Sequence, residues 1–126
     1  MAACEKIGGV ELLVNSARLT DPAGFVVGTQ EVWDKLFSVN AKAAFFIMQP
    51  FINSLIKRGA TGSIVNIVSM NAHCGTPELS ICSATKDALT TLTKNAANSS
   101  IDRRIRVNGT DRWRSEYSRR HARQGR

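Results

Sequence analysis

These 126 residues hold no C-x-x-C pair, no internal repeat and no apolar run long enough to cross a membrane. The three cysteines, Cys4, Cys74 and Cys82, are odd in number, which points away from both a disulfide framework and a zinc knuckle. His73-Cys74 with Cys82 could be drawn as part of a metal site. A fourth ligand is missing and the spacing fits no common zinc pattern, so three ordinary thiols and no metal are expected. The most apolar segment, Ala43 to Ile56, is too short for a span and holds Pro50 and Asn53. The opening MAACEKIGG carries Glu5 and Lys6 without a long apolar run, so no signal peptide is expected. A reducing, cytoplasmic setting is the resulting expectation. Asn98-Ser-Ser and Asn108-Gly-Thr fit the glycosylation pattern, which carries no weight without secretion.

What is present is globular in character. Hydrophobic residues make up 43% and charged residues 21%, which suits one folded domain. The net charge of +7 is unevenly distributed. From Asp102 to Arg126 there are nine Arg against three acids, whereas the first 101 residues hold six Lys and two Arg against seven acids. The basic character is thus assigned to the tail. The segment Gly109 to Arg126 has almost no aliphatic residues and no period, so residues 110–126 are expected to be a disordered basic tail. Trp113 and Tyr117 interleave with Arg as stacking sites can. A charge run is more often a solvated segment, and nucleic acid is not the expected partner.

Along the chain, VELLVNSA (Val10 to Ala17) reads as a strand buried on both faces. Leu19 to Gly28 is a loop. Thr29 is placed to cap a long helix running to Lys57, with Trp33, Leu36, Phe37, Asn40, Ala44 and Met48 at spacings of three and four. Pro50 is expected to kink that helix without ending it. Gly59 follows Lys57-Arg58 where a helix would stop. Gly62 to Ser69 is a second strand, Ser80 to Asn98 a second long helix, and Ile105 to Gly109 the start of a third strand. Strand, helix, strand, helix, strand with long connections predicts an α/β fold, a parallel sheet with helices on its faces. Chemistry in such sheets gathers beyond the carboxyl ends of the strands, where Asn15, Ser69 and Asn108 are expected.

Four segments then align: LLVNSA, VNAKAAFF, GSIVNIVS and CSATK. In this order and spacing, from about Ile7 to Gly109, they resemble the short-chain dehydrogenase/reductase family. The resemblance implies a partial Rossmann-like, doubly wound domain over residues 1–109. In the family strand order 3-2-1-4-5-6-7, the three strands here would be the fourth, the fifth and the start of the sixth. The first strand–helix–strand half has no counterpart in these residues, which leaves an apolar strand edge open.

The resemblance also implies the site. The family tetrad is Asn, Ser, Tyr and Lys. Asn40 matches the helix Asn of the proton relay, Ser69 the Ser that binds the substrate oxygen, and Lys86 the Lys. The Tyr position holds Cys82. The family's Asn-Asn-Ala-Gly motif reads Asn15-Ser16-Ala17-Arg18 here, so Asn15, Ala17 and Lys86 are the implied cofactor-side residues, with NAD or NADP as the implied cofactor. Arg18 brings bulk where the family has a Gly able to take unusual torsions.

Residues four apart share a helix face, so position 82 and Lys86 point the same way. In the family, an ammonium there eases loss of the phenolic proton while hydride moves to or from nicotinamide. A thiol titrates in a useful range, but its sulfur ends roughly 3–4 Å short of a phenolic oxygen, while proton transfer needs contact at about 3 Å or one bridging water. A degraded relay is the leading expectation. A water-bridged residual dehydrogenase and a nucleophilic Cys82, with Lys86 and a helix N-terminus favouring thiolate, remain open. No G-x-G-x-x-G occurs in the 126 residues. Gly59 and Gly62 precede a strand, and read as a turn. Family members commonly pair through the two long helices, so a homo- or hetero-oligomer built on Thr29 to Lys57 and Ser80 to Asn98 is the second expectation.

Overall fold

A computed structural model describes residues 8–74 and 76–111. Three strands form one parallel sheet in the order β1-β2-β3: β1 Leu12–Asn15, β2 Gly62–Val68 and β3 Ile105–Asp111. Leu13 pairs with Ile64, and Ile64 with Val107, so these three side chains share a face. Helices α1 (Gln30–Phe37) and α2 (Ala43–Arg58) connect β1 to β2, and α3 (Ser80–Ser100) leads from β2 to β3.

Both crossovers step in the same direction along the sheet. With right-handed connections, that puts their helices on one face. Met48, Phe51 and Leu55 of α2 pack with Ile64, Ile105 and Val107, and Leu13 packs against this cluster. Ala44, Val68 and Leu89 form a second cluster. Gly62 lets this packing close, because a Cβ there would lie 2.5 Å from Leu55 Cδ1.

The sequence reading buries β1 on both faces; the structure corrects this. Leu12 is 58% and Val14 52% exposed, while Leu13 and Asn15 turn inward. An apolar run can occupy a two-sided position, but among the described residues only one side of the sheet carries helices. Among the described residues β1 is also a sheet edge, as the resemblance implied.

The long first helix is interrupted. The residues Ser38–Lys42 form a π-helical turn between α1 and α2, with Asn40 at its centre. Thr29 caps α1, its Oγ1 accepting from Val32 N at 3.2 Å. Pro50 sits inside α2 without ending it, and Gly59 closes α2 with φ +62. α3 runs to Ser100, two residues beyond the expected Asn98.

β3 starts at Ile105 as expected and runs to Asp111. Asn108 consequently lies within the strand, opposite Val65, rather than at its carboxyl end. Arg103, Arg104 and Arg106 belong to the turn and strand of the folded body, so the basic character is shared with it. The remainder of the expected tail, from residue 112, lies outside the described residues, as does Cys4. Among the described residues no helix is long and apolar enough to cross a membrane.

Candidate active site

Asn40 is the anchor of the site. Its side chain is 1% exposed and holds the loop after β1 from both sides. Leu19 N donates to Asn40 Oδ1 at 2.7 Å, and Asn40 Nδ2 donates to Leu19 O at 2.9 Å. The same Nδ2 reaches Thr85 Oγ1 at 3.0 Å, and Thr85 Oγ1 donates to Cys82 O at 2.7 Å. One amide thus ties the loop, the π turn and the first turns of α3 together. The π turn widens the helix where Asn40 must reach, a distortion often found at functional positions.

Cys82 lies under this loop. It is 8% exposed, packs with Ala23, Leu36 and Ile81, and its Sγ is 4.0 Å from Leu19 O. Burial pushes the thiol above its ordinary pKa; the Thr20 hydroxyl and the Lys86 and Arg18 charges oppose this only in part. Burial pulls the Lys86 ammonium below its ordinary value, with the Cys82 charge opposing and Arg18 adding to the shift. The folded form therefore favours a neutral thiol. Its contribution to stability is complete below the unfolded-state pKa and is lost as pH rises through the folded one. For Lys86 the contribution is present above the unfolded pKa and is lost as pH falls through the folded value.

Lys86 shares the face of Cys82, as its i+4 position requires. It is 5% exposed and its Nζ donates to Ile67 O at 2.8 Å, at the carboxyl end of β2. Ser69 is two residues further along, half-buried, its Oγ accepting from Asn71 N at 3.3 Å. Among the described residues no hydrogen bond joins Ser69 to Cys82 or Lys86. The structure thus brings Asn40, Cys82 and Lys86 to one end of the sheet with Ser69 close in sequence to the Lys86 acceptor. His73 and Cys74 are exposed, and among the described residues no group of three or more His, Cys, Asp and Glu could hold a metal.

Asn15 is placed differently from a surface cofactor contact. Its Nδ2 donates to Asn66 Oδ1 at 2.8 Å, beneath the helices. Ala17 and Arg18 are exposed. Asn66 itself, missed in the sequence, is fully buried and donates to Thr93 Oγ1 at 2.9 Å and towards Met48 Sδ at 3.3 Å. A single Asn inside IVNIV was the available signal, because a buried amide in an apolar strand must find partners. Thr85 was the other omission, adjacent to Lys86 and fully buried.

For a nicotinamide dinucleotide these residues offer an incomplete fit. Among the described residues no glycine-rich turn opens a helix as a phosphate cradle, and Lys86 Nζ is engaged by a backbone carbonyl.

Comparison with known proteins matches this geometry to one family. The model of the short chain dehydrogenase family matches residues 1–111. Carbonyl reductase [NADPH] 2 of Sus scrofa is 42% identical over 105 residues, covering 83% of this chain and 43% of the relative. L-xylulose reductase of Bos taurus is 40% identical over 105 residues, with the same coverages of 83% and 43%. The acetoin dehydrogenase structure from Salmonella typhimurium superposes with a TM-score of 0.83 at 33% identity, covering 87% of this chain and 44% of that one. A 4-hydroxyisoleucine dehydrogenase complexed with NADH gives a TM-score of 0.80 at 28% identity, covering 85% and 47%. This chain spans less than half the length of these relatives. The Rossmann-like half-sheet, the position of Lys86 behind Cys82 and the match over residues 1–111 agree: the chain belongs to the short-chain dehydrogenase family.

Proposed function

We propose that these 126 residues carry the catalytic end of an NAD(P)-dependent oxidoreductase of an alcohol or ketone, and that by themselves they do not transfer hydride. The observation that carries this reading is Cys82. Its sulfur sits under Leu19, 4.0 Å from that carbonyl, with its pKa raised by burial. A short, neutral, covered thiol is a poor substitute for a phenol that must meet a substrate oxygen. A raised pKa also argues against the nucleophile reading, which needs thiolate.

The experiment mixes the chain with NADH or NADPH and a small diketone and follows nicotinamide absorbance. The expected result is a flat trace for the wild type. Turnover that vanishes in Lys86→Met would overturn the reading and favour the water-bridged dehydrogenase.

The assembly reading has its own support. Trp33, Phe45, Phe46 and Ile47 are 39–57% exposed on the outer side of α1 and α2. Phe37, Ala41, Phe45, Phe46 and Leu92 line a shallow groove of about 530 Å³ between these helices and α3. Apolar surface of this kind suits a helix-to-helix contact with a second copy or a longer relative. Sedimentation as a monomer at every concentration, alone and with such a relative, would end this reading.

A further inference from the structure

An open surface depression of about 460 Å³ lies at the amino ends of the strands, lined by half-buried Gly62 and Ser63 and by exposed Glu11, Thr61, Arg104 and Arg106. Because the strands are parallel, this is the end of the sheet remote from Lys86 and Ser69.

Ser63 and Arg106 are register partners on the face that carries no helices. The Arg106 guanidinium donates to Ser63 Oγ twice, from Nε at 3.2 Å and from Nη2 at 2.9 Å. Two bonds to one oxygen fix the plane of the guanidinium before any ligand arrives. They also use Ser63 Oγ as an acceptor, so its own proton can be donated to a ligand.

Arg104 is placed by its backbone. It closes the turn Ile101–Arg103 with φ +58, its N–H bonded to Ile101 O. That left-handed geometry is uncommon for a residue with a Cβ, and it brings Arg104 to the mouth of the same depression. Two guanidiniums and two hydroxyls then face one carboxylate, that of Glu11.

We propose that this depression binds the phosphate group of a small phosphorylated molecule. Ser63 takes the Nε and one Nη2 hydrogen of Arg106, which leaves its Nη1 hydrogens and second Nη2 hydrogen for phosphate oxygens; Arg104 adds a second guanidinium, and the hydroxyls of Ser63 and Thr61 add neutral donors. The volume exceeds that of the bare anion, leaving room for an organic substituent. Glu11 opposes the anion and sets a limit on affinity.

The test is a titration at constant ionic strength, using inorganic phosphate, adenosine monophosphate and glycerol phosphate, read by NMR at the arginine Nε–H groups. Saturable shifts of the Arg104 and Arg106 signals are expected. Arg106→Gln should weaken binding by roughly tenfold or more, as for a lost charge-assisted pair. Glu11→Gln, an exposed change that spares the fold, should tighten it by about 2–5-fold by removing a nearby like charge. Tighter binding of a monoester than of inorganic phosphate assigns the site to esterified phosphate; equal binding assigns it to the free anion. Shifts reproduced by sodium chloride alone, or affinities unchanged in both variants, would overturn the proposal.

Discussion

Asn66→Ala is expected to destabilise the fold by about 3 kcal/mol, since it deletes a fully buried amide and leaves its partners without their bonds. Asn66 on β2 links three other elements: β1, α2 and α3. It accepts from Asn15 on the edge strand, donates to Thr93 on α3 and approaches Met48 on α2. Asn15 and Asn66 are also register partners, so the bond helps hold the edge strand in place. The midpoint of thermal unfolding should fall by about 10–20 °C, given the usual shift per kcal/mol for a domain of this size. Asn15→Ala should cost less, because water can reach a half-buried amide. A double-mutant cycle should return a coupling of about 1 kcal/mol between the two. Full additivity would mean that the Asn15–Asn66 bond contributes nothing to holding β1.

Asn40→Ala acts on the site as well as on stability. Both polar groups of Leu19 lose their partner, and Thr85 loses a donor. A cost of about 2–3 kcal/mol is expected from the unpaired backbone groups. The loop over Cys82 should open more often. In a Cys4→Ser, Cys74→Ser background, thiol labelling of Cys82 should accelerate by about 10–30-fold, the factor that about 1.4–2 kcal/mol of lost local stability represents. In the parent protein the labelling rate should keep rising at alkaline pH, because burial has raised the thiol pKa. Unchanged labelling in Asn40→Ala would mean that another contact covers the sulfur.

Much of this fold is legible in the residues. Strand and helix order follow from apolar runs and three-four spacing. Thr29 and Gly59 act as the start and stop of the first helical stretch because their chemistry is local. Lys86 and Cys82 share a face for the same reason. The π turn was not legible, since its cause is remote: Asn40 is drawn to Leu19, 21 residues away. The open face of β1 was hidden because Leu and Val runs state only that burial is compatible, not which side has a neighbour. Asn108 was placed at a carboxyl end because residues from 110 read as a basic tail, whereas the ladder with β2 carries the strand to Asp111. Asn66 was passed over because one amide in an apolar strand has no periodic signature; only its partners, 18 to 51 residues away, reveal it.

The site divides along the same line. The resemblance implied positions 40, 69, 82 and 86, but the electrostatic outcome at Cys82 depended on burial. Lys86 and Arg18 do lower the thiol pKa, and desolvation outweighs them. The sign was decided by burial under the loop at Leu19, against the Thr20 hydroxyl that lowers the value, and CSATK contains neither.

The central claim is that this chain holds the catalytic end of the family fold without a working dinucleotide cradle or proton relay. The most direct test is a thermal melt of the 126-residue chain by circular dichroism, with and without millimolar NAD(H) and NADP(H). The account predicts one cooperative transition whose midpoint is the same in all samples. A ligand present at 100 times its Kd would add about 2.7 kcal/mol to the folded state, a shift that could not be missed. A midpoint raised by either dinucleotide would contradict the account, and would show that these residues alone build a cofactor site.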